Sequence, residues 1–589
     1  MKRCPECRRD YYDDTLLYCL DDGNALLEGP ASMDEPATAI LSEPGAVATG
    51  FPPSEAPTKT QINTRKQTAI LPTGIGEPQS KRNLSGEKLA ALLGLIAVLA
   101  AGGYFGYRYF GSSAKQIESI AVMPFVNESG NAEVEYLSDG MTETLISSLS
   151  QLQNLNVKAR SSVFRYKGKE TDAQTIGKEL NVEAILSGRV VQRGEQLTLS
   201  LELVDTGTQN VIWSENYNRK QADLVSLQSE IARDVANKLR VKLSGTDEQK
   251  LTKNYTANTD AYRLYSKGLH FWNKFPAKDY ERSREYFEQA IDVDPTYALA
   301  YSGLADYYGF RANNGLVPPD ENWLKAEAAA NKALELDELL SEAHHSLAAI
   351  KMHYYRDWED AEQEFKKALE LNPNNSETHQ LYGSYLFIRG RSDEGLAERK
   401  KALELEPLSV RLNRNLARTF YWKRDYDRAI EQYQKTLELA PNSAFTHILL
   451  GNAFEQKGMQ KEAVAEWSKA LRMTGDSETA LMLTNDNEAA VLLERIFTTS
   501  GFDAAIRFLW QRELEQLKEK TRRGEYVPAM NYVSAYTQLA DKEQAFGWLA
   551  KAEQERNWLI FQGILDPRND SLRSDPRFQD LLRRVGLPQ

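Results

Sequence analysis

From about Thr259 onward, hydrophobic and small residues recur at helical spacing, and the whole pattern repeats: Pro373, Pro407 and Pro441 stand 34 residues apart. That period predicts stacked helical hairpins, each burying against its neighbours a face it cannot bury alone. Aligned on the prolines, Ala348, Gly383, Ala417 and Gly451 share one position in the first helices. Ala361, Gly395, Ala429 and Ala463, then Ala368, Ala402, Thr436 and Ala470, share two positions in the second helices. Small residues there permit close approach of paired helices. A large residue recurs between them, as Phe365, Tyr433 and Trp467, with Arg399 the exception. Two earlier repeats fit with insertions, one through Gly268, Phe287, Ala290 and Pro295, the other through Leu304, Ala305, Ala326 and Ala333. The expectation is about six repeats over 258–475, with degenerate helices and a tail over 476–589.

Ahead of the repeats the period changes. Residues 115–245 alternate between strand and helix patterns: IESIAVMPF and LNVKAR read as strands, YLSDGMTETLISSLSQL and TDAQTIGKEL as helices. In QLTLSLELVD, Leu197, Leu199, Leu201 and Leu203 alternate at period two, which predicts one buried face of a strand. NVIWSENYNR adds a strand and LVSLQSEIARDVANKLRVKL a closing helix, giving a mixed α/β domain. Before it, Leu89 to Tyr107 runs nineteen residues without a charge. As a helix that segment spans roughly 28 Å, enough to cross a bilayer. The stretch 29–84 has neither period. Proline, Ala, Ser, Thr and Glu dominate it, Phe51 is its one aromatic residue, and it reads as a disordered linker that cannot bury enough apolar surface to order itself.

Charge and cysteine change this picture in two ways. Net charge is −12 over 589 residues, so no global basic field draws in nucleic acid. All three cysteines, Cys4, Cys7 and Cys19, lie within 1–28, which excludes a disulfide framework for the rest. Cys4-Pro-Glu-Cys7 has the spacing of a zinc knuckle, and Asp22 stands where a fourth ligand is needed, with Asp21 the next choice. The expectation is a small unit holding one structural zinc. Lys81, Arg82 and Lys88 precede the uncharged helix and only Arg108 and Lys115 closely follow it. The positive-inside bias puts the N-terminus in the cytoplasm and the later domains outside a bacterial inner membrane. Ala90, Gly94, Gly102 and Gly106 give that helix a small-residue stripe that permits homodimerisation. Thr-Ala-Ile-Leu occurs at Thr38 and again at Thr68, two candidate phosphorylation sites.

Three resemblances follow from these motifs. The 34-residue period is that of tetratricopeptide repeats. CPEC followed by YCLDDG resembles the short zinc ribbons of some bacterial membrane and signalling proteins. SIAVMPFVNESGNAEVEYLSDGMTETLISSLS, through ARSSVFRYKGKE to LVDTGTQNVIWSENYNR, resembles the TolB-N-like domain, which in bacteria often stands between a signalling module and tetratricopeptide repeats. The C-terminal LRSDPRFQDLLRRVGLP is typical of the same class. In such relatives the N-terminal module is a protein kinase, an adenylate cyclase or a winged-helix DNA binder. This chain has no Gly-rich phosphate loop, no HRD or DFG run and no room for a catalytic domain before its uncharged helix, so the resemblance lends architecture without activity.

No enzyme motif stands out. HExxH, GxSxG and a P-loop are absent, and His344, His345 and His353 read as ordinary solenoid residues. The better candidate is the concave face lined by first helices. In the repeat ending at Pro441, Arg411, Arg414 and Arg418 form one stripe at helical spacing that ends in Tyr421 and Trp422, with Asn415 beside it and Asn452 from the next repeat. Such a stripe suits an acidic peptide or a C-terminal carboxylate. Carboxylate-binding tetratricopeptide proteins use a basic, Asn-containing groove in this way, and the match here is partial. The expected molecule is a non-catalytic, membrane-anchored protein-binding scaffold or signalling adaptor. The alternatives are a sensor subunit that regulates a partner kinase or cyclase, and a factor in envelope assembly or secretion.

Overall fold

The chain divides into two units, Met1–Ala100 and Ala101–Gln589. The computed structural model describes residues 116–131, 134–241, 243–273, 278–313, 319–473, 486–556 and 558–588, together with three short strands in the first unit. There β1 (Lys2–Arg3) pairs antiparallel with both β2 (Asp10–Tyr11) and β3 (Leu27–Glu28). Cys4, Cys7, Cys19, Asp22, the linker with Thr38 and Thr68, and the helix expected over 89–107 lie outside the described residues. Among the described residues no helix is long and apolar enough to cross a membrane, and no His/Cys/Asp/Glu cluster is arranged to hold a metal.

The second unit opens with a mixed sheet of strand order β6-β4-β7-β8-β9, formed by β4 (Ser119–Val122), β6 (Asn156–Val157), β7 (Ala184–Arg193), β8 (Gln196–Asp205) and β9 (Val211–Lys220), while β5 (Val126–Asn127) pairs beside β7. β4 runs parallel to β6 and β7, and β7, β8 and β9 form an antiparallel meander. Its register follows from side-chain alternation: the four leucines of β8 are all at most 2% exposed and face the same side as Val190, Trp213 and Tyr217. The helices α1 (Glu135–Ser150), α3 (Ala173–Leu180) and α4 (Leu224–Lys238) contribute to the same core through Leu145, Leu149, Leu180, Ile231 and Val235. LNVKAR, expected as a strand throughout, contributes only Asn156–Val157. Arg160 already begins the short helix α2 (Arg160–Val163), because the Ala159 N–H turns away to the Leu405 carbonyl of the solenoid, 3.3 Å away.

A short helix α5 (Gly245–Thr252) leads into the solenoid, where helices pair in sequence. α6 (Thr259–Trp272) pairs with α7 (Lys278–Val293), α8 (Ala298–Asn313) with α9 (Pro319–Leu336), and α10 (Ser341–Ile350) with α11 (Trp358–Leu371). α12 (Ser376–Ile388) pairs with α13 (Ser392–Leu405), α14 (Val410–Trp422) with α15 (Tyr426–Leu439), and α16 (Ala444–Gln456) with α17 (Gln460–Arg472). The small residues lie where the helices touch. A Cβ on Gly451 would stand 2.5 Å from Trp467 Nε1, so only a hydrogen leaves room for that indole. Repeated polar latches tie four of the first helices, α10, α12, α14 and α16, to their partners. His344, His379 and His447 each meet a second-helix carboxylate at 2.5 Å (Glu364, Glu398 and Glu466), and each ring's other nitrogen lies 2.9–3.1 Å from the carbonyl of Glu338, Pro373 or Pro441. Asn413 and Gln432 take the same places in the hairpin of α14 and α15.

After the solenoid come α18 (Asn487–Ser500), α19 (Phe502–Arg522), α20 (Ala529–Gln538) and α21 (Lys542–Gln554). The tail adds α22 (Leu559–Leu565), α23 (Asp570–Arg573) and α24 (Pro576–Arg584), of which the last buries Phe578, Leu581 and Leu582. This tail turns back: Phe561, Ile564 and Phe578 share a core with Phe365, Tyr382 and Tyr385.

Candidate functional site

The inner face of the solenoid is bordered on two sides by the rest of the chain. The α/β domain binds the first-helix N-terminal ends and the turns before them. Asn374 donates to the carbonyls of Ser150 and Leu155 at 2.9 and 2.8 Å, and Lys158 donates to the Glu404 carbonyl at 2.8 Å. On α6 the contact instead reaches the C-terminal end of the helix, where Asp139 joins Lys167 at 2.5 Å to His270 at 3.1 Å. Burial opposes the charge on Asp139, yet these two partners outweigh it and hold its carboxyl below the ordinary range. Along the opposite border, the tail covers the first-helix C-terminal ends. His353 stacks on Trp558 with ring centroids 4.8 Å apart, Trp358 Nε1 donates to the Val585 carbonyl at 3.1 Å, and Arg424 pairs with Asp570 at 2.7 Å.

Between these borders the face is divided by charge. Asp306, Glu342 and Glu377 come from α8, α10 and α12, and Arg411, Arg414 and Arg418 all come from α14. Glu377 and Arg411 form an ion pair at the junction, with side chains 52% and 37% exposed, so this is the solvent-facing mouth. Deeper in, Asp306 accepts a hydrogen bond from Ser346 at 2.7 Å. Burial first, and then repulsion from Glu342 and Glu377, push the Asp306 carboxyl up to about 7 despite that bond. Burial likewise raises Glu342, which Ser147 of the α/β domain reaches at 3.5 Å, and Glu143, whose Arg160 partner at 3.3 Å only partly offsets it.

A stability prediction follows from Asp306. Its folded value lies above the ordinary 3.8, so the native state binds the extra proton between about pH 4 and 7. Stability from this group is complete below that window and is lost as pH rises through 7. Asp306→Asn is expected to flatten the decline and to raise stability at pH 8 by about 1–2 kcal/mol. Urea unfolding of both proteins across pH 4–8 measures it, and parallel curves would contradict it.

The basic stripe read from the sequence exists, but its surroundings differ from an open groove. Arg411 sits at the mouth. Arg414 is only 4% exposed and Asn452 3%, the latter accepting a hydrogen bond from Trp467 Nε1 at 3.1 Å. Asn415 supplies its backbone carbonyl to Arg399 and Thr419. Tyr421 and Trp422, expected to line the groove, are 4% and 7% exposed: the Tyr421 hydroxyl donates to Asp566 of the tail at 3.1 Å, and Trp422 packs on Phe387 of α12. Arg418 donates to Gln562 at 3.1 Å. The correction is therefore one of access. A tail more than a hundred residues further along the chain covers one end of the stripe, and the repeat pattern carries no signal of that. Sequence reading also passed over the carboxylate end of the face and gave Arg399 no role beyond that of an exception. The acidic residues at 342 and 377, one 35-residue step apart, were the available signal. His344 bridges Glu364 and a carbonyl, His345 meets Thr378 at 3.0 Å and His353 meets Asn313 at 2.7 Å, so all three are solenoid residues with protein partners.

Comparison with known proteins covers the two parts separately. Residues 115–234 match the HilA/YgeH-like transcriptional regulator, second domain, and tetratricopeptide-repeat models match 276–297, 364–397, 383–444 and 414–478. The match over the α/β segment is thus to the HilA domain, beside the TolB-N-like resemblance of its motifs. "Putative adenylate cyclase 3" of Rhizobium meliloti is 31% identical over 249 residues, 41% of this chain and 42% of that protein. "Transcriptional regulator HilA" of Salmonella typhimurium is 20% identical over 279 residues, 47% of this chain and 49% of that one. The chain thus spans less than half the length of these curated relatives. Among solved structures, Pseudomonas aeruginosa pilF is 16% identical, covering 49% of this chain and 98% of that one with a TM-score of 0.27. TTC0263 of Thermus thermophilus is 21% identical, covering 33% and 99% with a TM-score of 0.29. The chain carries a tetratricopeptide-repeat solenoid in its C-terminal part, preceded by a sheet-containing domain similar to the second domain of HilA-like regulators.

Proposed function

We propose that this protein is a non-catalytic, membrane-anchored scaffold or signalling adaptor that captures partner polypeptides on the inner face of its solenoid. In this reading Cys4, Cys7, Cys19 and Asp22 hold a structural zinc in the cytoplasm, residues 89–107 cross a bacterial inner membrane, and the α/β domain and solenoid work outside the cytoplasm. The observation that carries it is the divided mouth, with the exposed Glu377–Arg411 pair between a carboxylate end and a guanidinium end. A face of that kind favours a partner segment carrying both signs of charge in a fixed order. An acidic segment or a carboxylate terminus is the expected match for the Arg411 side.

The test exchanges the two charges. Glu377→Arg with Arg411→Glu keeps the pair and inverts the field at the mouth. Proximity labelling from both ends of the full chain is expected to lose its main solenoid-side partners at least tenfold in the exchanged variant. An unchanged labelled set would refute capture at this mouth. The relative named an adenylate cyclase favours a second reading, in which the chain regulates a partner cyclase or kinase. Recovery of such an enzyme from the N-terminal label would move the assignment there.

A further inference from the structure

Arg399 occupies a position where three other repeats carry Phe365, Tyr433 and Trp467, all core residues. It is 3% exposed, yet it is an ionisable side chain on a second helix. From α13 it extends between α12 and α14. One Nη donates to the Asn415 carbonyl at 3.1 Å and to the Thr419 hydroxyl, and the other donates to the Ser384 hydroxyl at 2.8 Å. All three acceptors are neutral, and Nε has no hydrogen-bond partner among the described residues. Among the described residues no carboxylate pairs with this guanidinium. Its charged neighbour is instead Arg418, and burial with that repulsion lowers its pKa to about 9. Arg418 in turn is partly exposed, bonds the neutral Gln562, and has an unpartnered buried Nε. Trp422 lies within 5.3 Å of the Arg399 guanidinium and 5.9 Å of that of Arg418, and Phe445 lies 5.7 Å from Arg418.

Buried charges in proteins are paired, because desolvation without a counter-charge is strongly unfavourable. Here two adjacent cations share an aromatic wall, and among the described residues neither guanidinium pairs directly with a carboxylate. We propose that Arg399 and Arg418 bind a phosphate dianion, free or as a monoester, on the inner face of the solenoid. A carboxylate brings one negative charge and leaves one guanidinium uncompensated. A phosphate group carries about −1.5 to −2 at pH 7 and offers three acceptor oxygens to donors arriving from two helices. The ligand is small and needs no partner protein, so the fate of the scaffold reading does not decide this one.

Titration calorimetry on the full chain in detergent, at constant ionic strength, tests it with inorganic phosphate, phenyl phosphate and acetate. Saturable binding of one phosphate or phenyl phosphate per chain is expected, with acetate at least tenfold weaker. Tighter binding of phenyl phosphate identifies a monoester, and the reverse identifies free phosphate. Arg399→Met and Arg418→Gln are each expected to weaken binding at least tenfold. Should Arg399→Met fail to fold by near-UV circular dichroism, the partly exposed Arg418→Gln carries the comparison. No saturable binding of either phosphate, equal affinity for acetate, or wild-type affinity in Arg418→Gln would overturn the proposal.

Discussion

Arg568→Met is expected to destabilise the junction of tail and solenoid by about 3–5 kcal/mol, the range for breaking a buried ion pair from one side. Asp566 and Arg568 are 18% and 17% exposed and meet at 2.7 Å. Asp566 also accepts hydrogen bonds from the Tyr421 hydroxyl at 3.1 Å and the Arg568 N–H at 3.0 Å. Burial works against its charge, and Arg568 outweighs burial, so the carboxyl is held below the ordinary range. Without the guanidinium, Asp566 faces Glu455, whose own carboxyl burial already pushes up to about 7. The pH dependence changes sign as well. In the native chain the depressed Asp566 contributes stability above its ordinary value of 3.8, lost as pH falls through its folded value. In the variant its folded value rises, and stability then falls as pH rises. Hydrogen exchange over α22, whose protection reports opening of the tail, measures the effect. Asp566→Leu added to Arg568→Met is expected to restore most of it, since replacing both charges removes the unpaired one. A single variant that loses under 1 kcal/mol would show the pair to be solvated.

The second large effect is expected at Gly395. A Cβ there would stand 2.7 Å from the Gly383 carbonyl oxygen and 3.2 Å from the Phe387 nitrogen, and one on Gly383 would stand 2.9 Å from the Gly395 oxygen. Both obstacles are backbone atoms of the facing helix, so no side chain can rotate away. Gly395→Val must therefore separate α12 from α13, at a cost of about 1–3 kcal/mol or somewhat more, the range for overpacking a filled core. Gly547 on α21 is the control. Nothing lies within 4 Å of its Cβ position, and Gly547→Ala is expected to stabilise by up to about 1 kcal/mol through helix propensity. Thermal unfolding followed by circular dichroism separates the two, and equal midpoints would refute the close-contact account.

These effects belong to different levels of legibility. The pattern of small residues, read with the 34-residue step, located Gly383 and Gly395 correctly because helix-to-helix contact within one hairpin is local: the partners lie 12 residues apart. The four leucines of β8 were equally readable, because alternation at period two fixes a face before any partner is chosen. The basic stripe on α14 was readable as a stripe and unreadable as a site. Its neighbours at 562, 566 and 568 are more than 140 residues away in sequence, and nothing in either segment names the other. The Ala159–Leu405 bond that shortened β6 is of the same kind.

By itself, then, the sequence determined a solenoid of helical hairpins behind a mixed α/β domain, and a basic run on one first helix. Repeats and alternation are local, and local packing writes itself into residue spacing. Tertiary structure alone decided that the tail and the α/β domain border the inner face, that carboxylates from three helices share it, and that Arg399 enters it from the second-helix layer beneath. The two borders depend on contacts across more than 140 residues, and the charges on the face on contacts between neighbouring repeats, where burial and the choice of partner, properties of no single segment, set the chemistry.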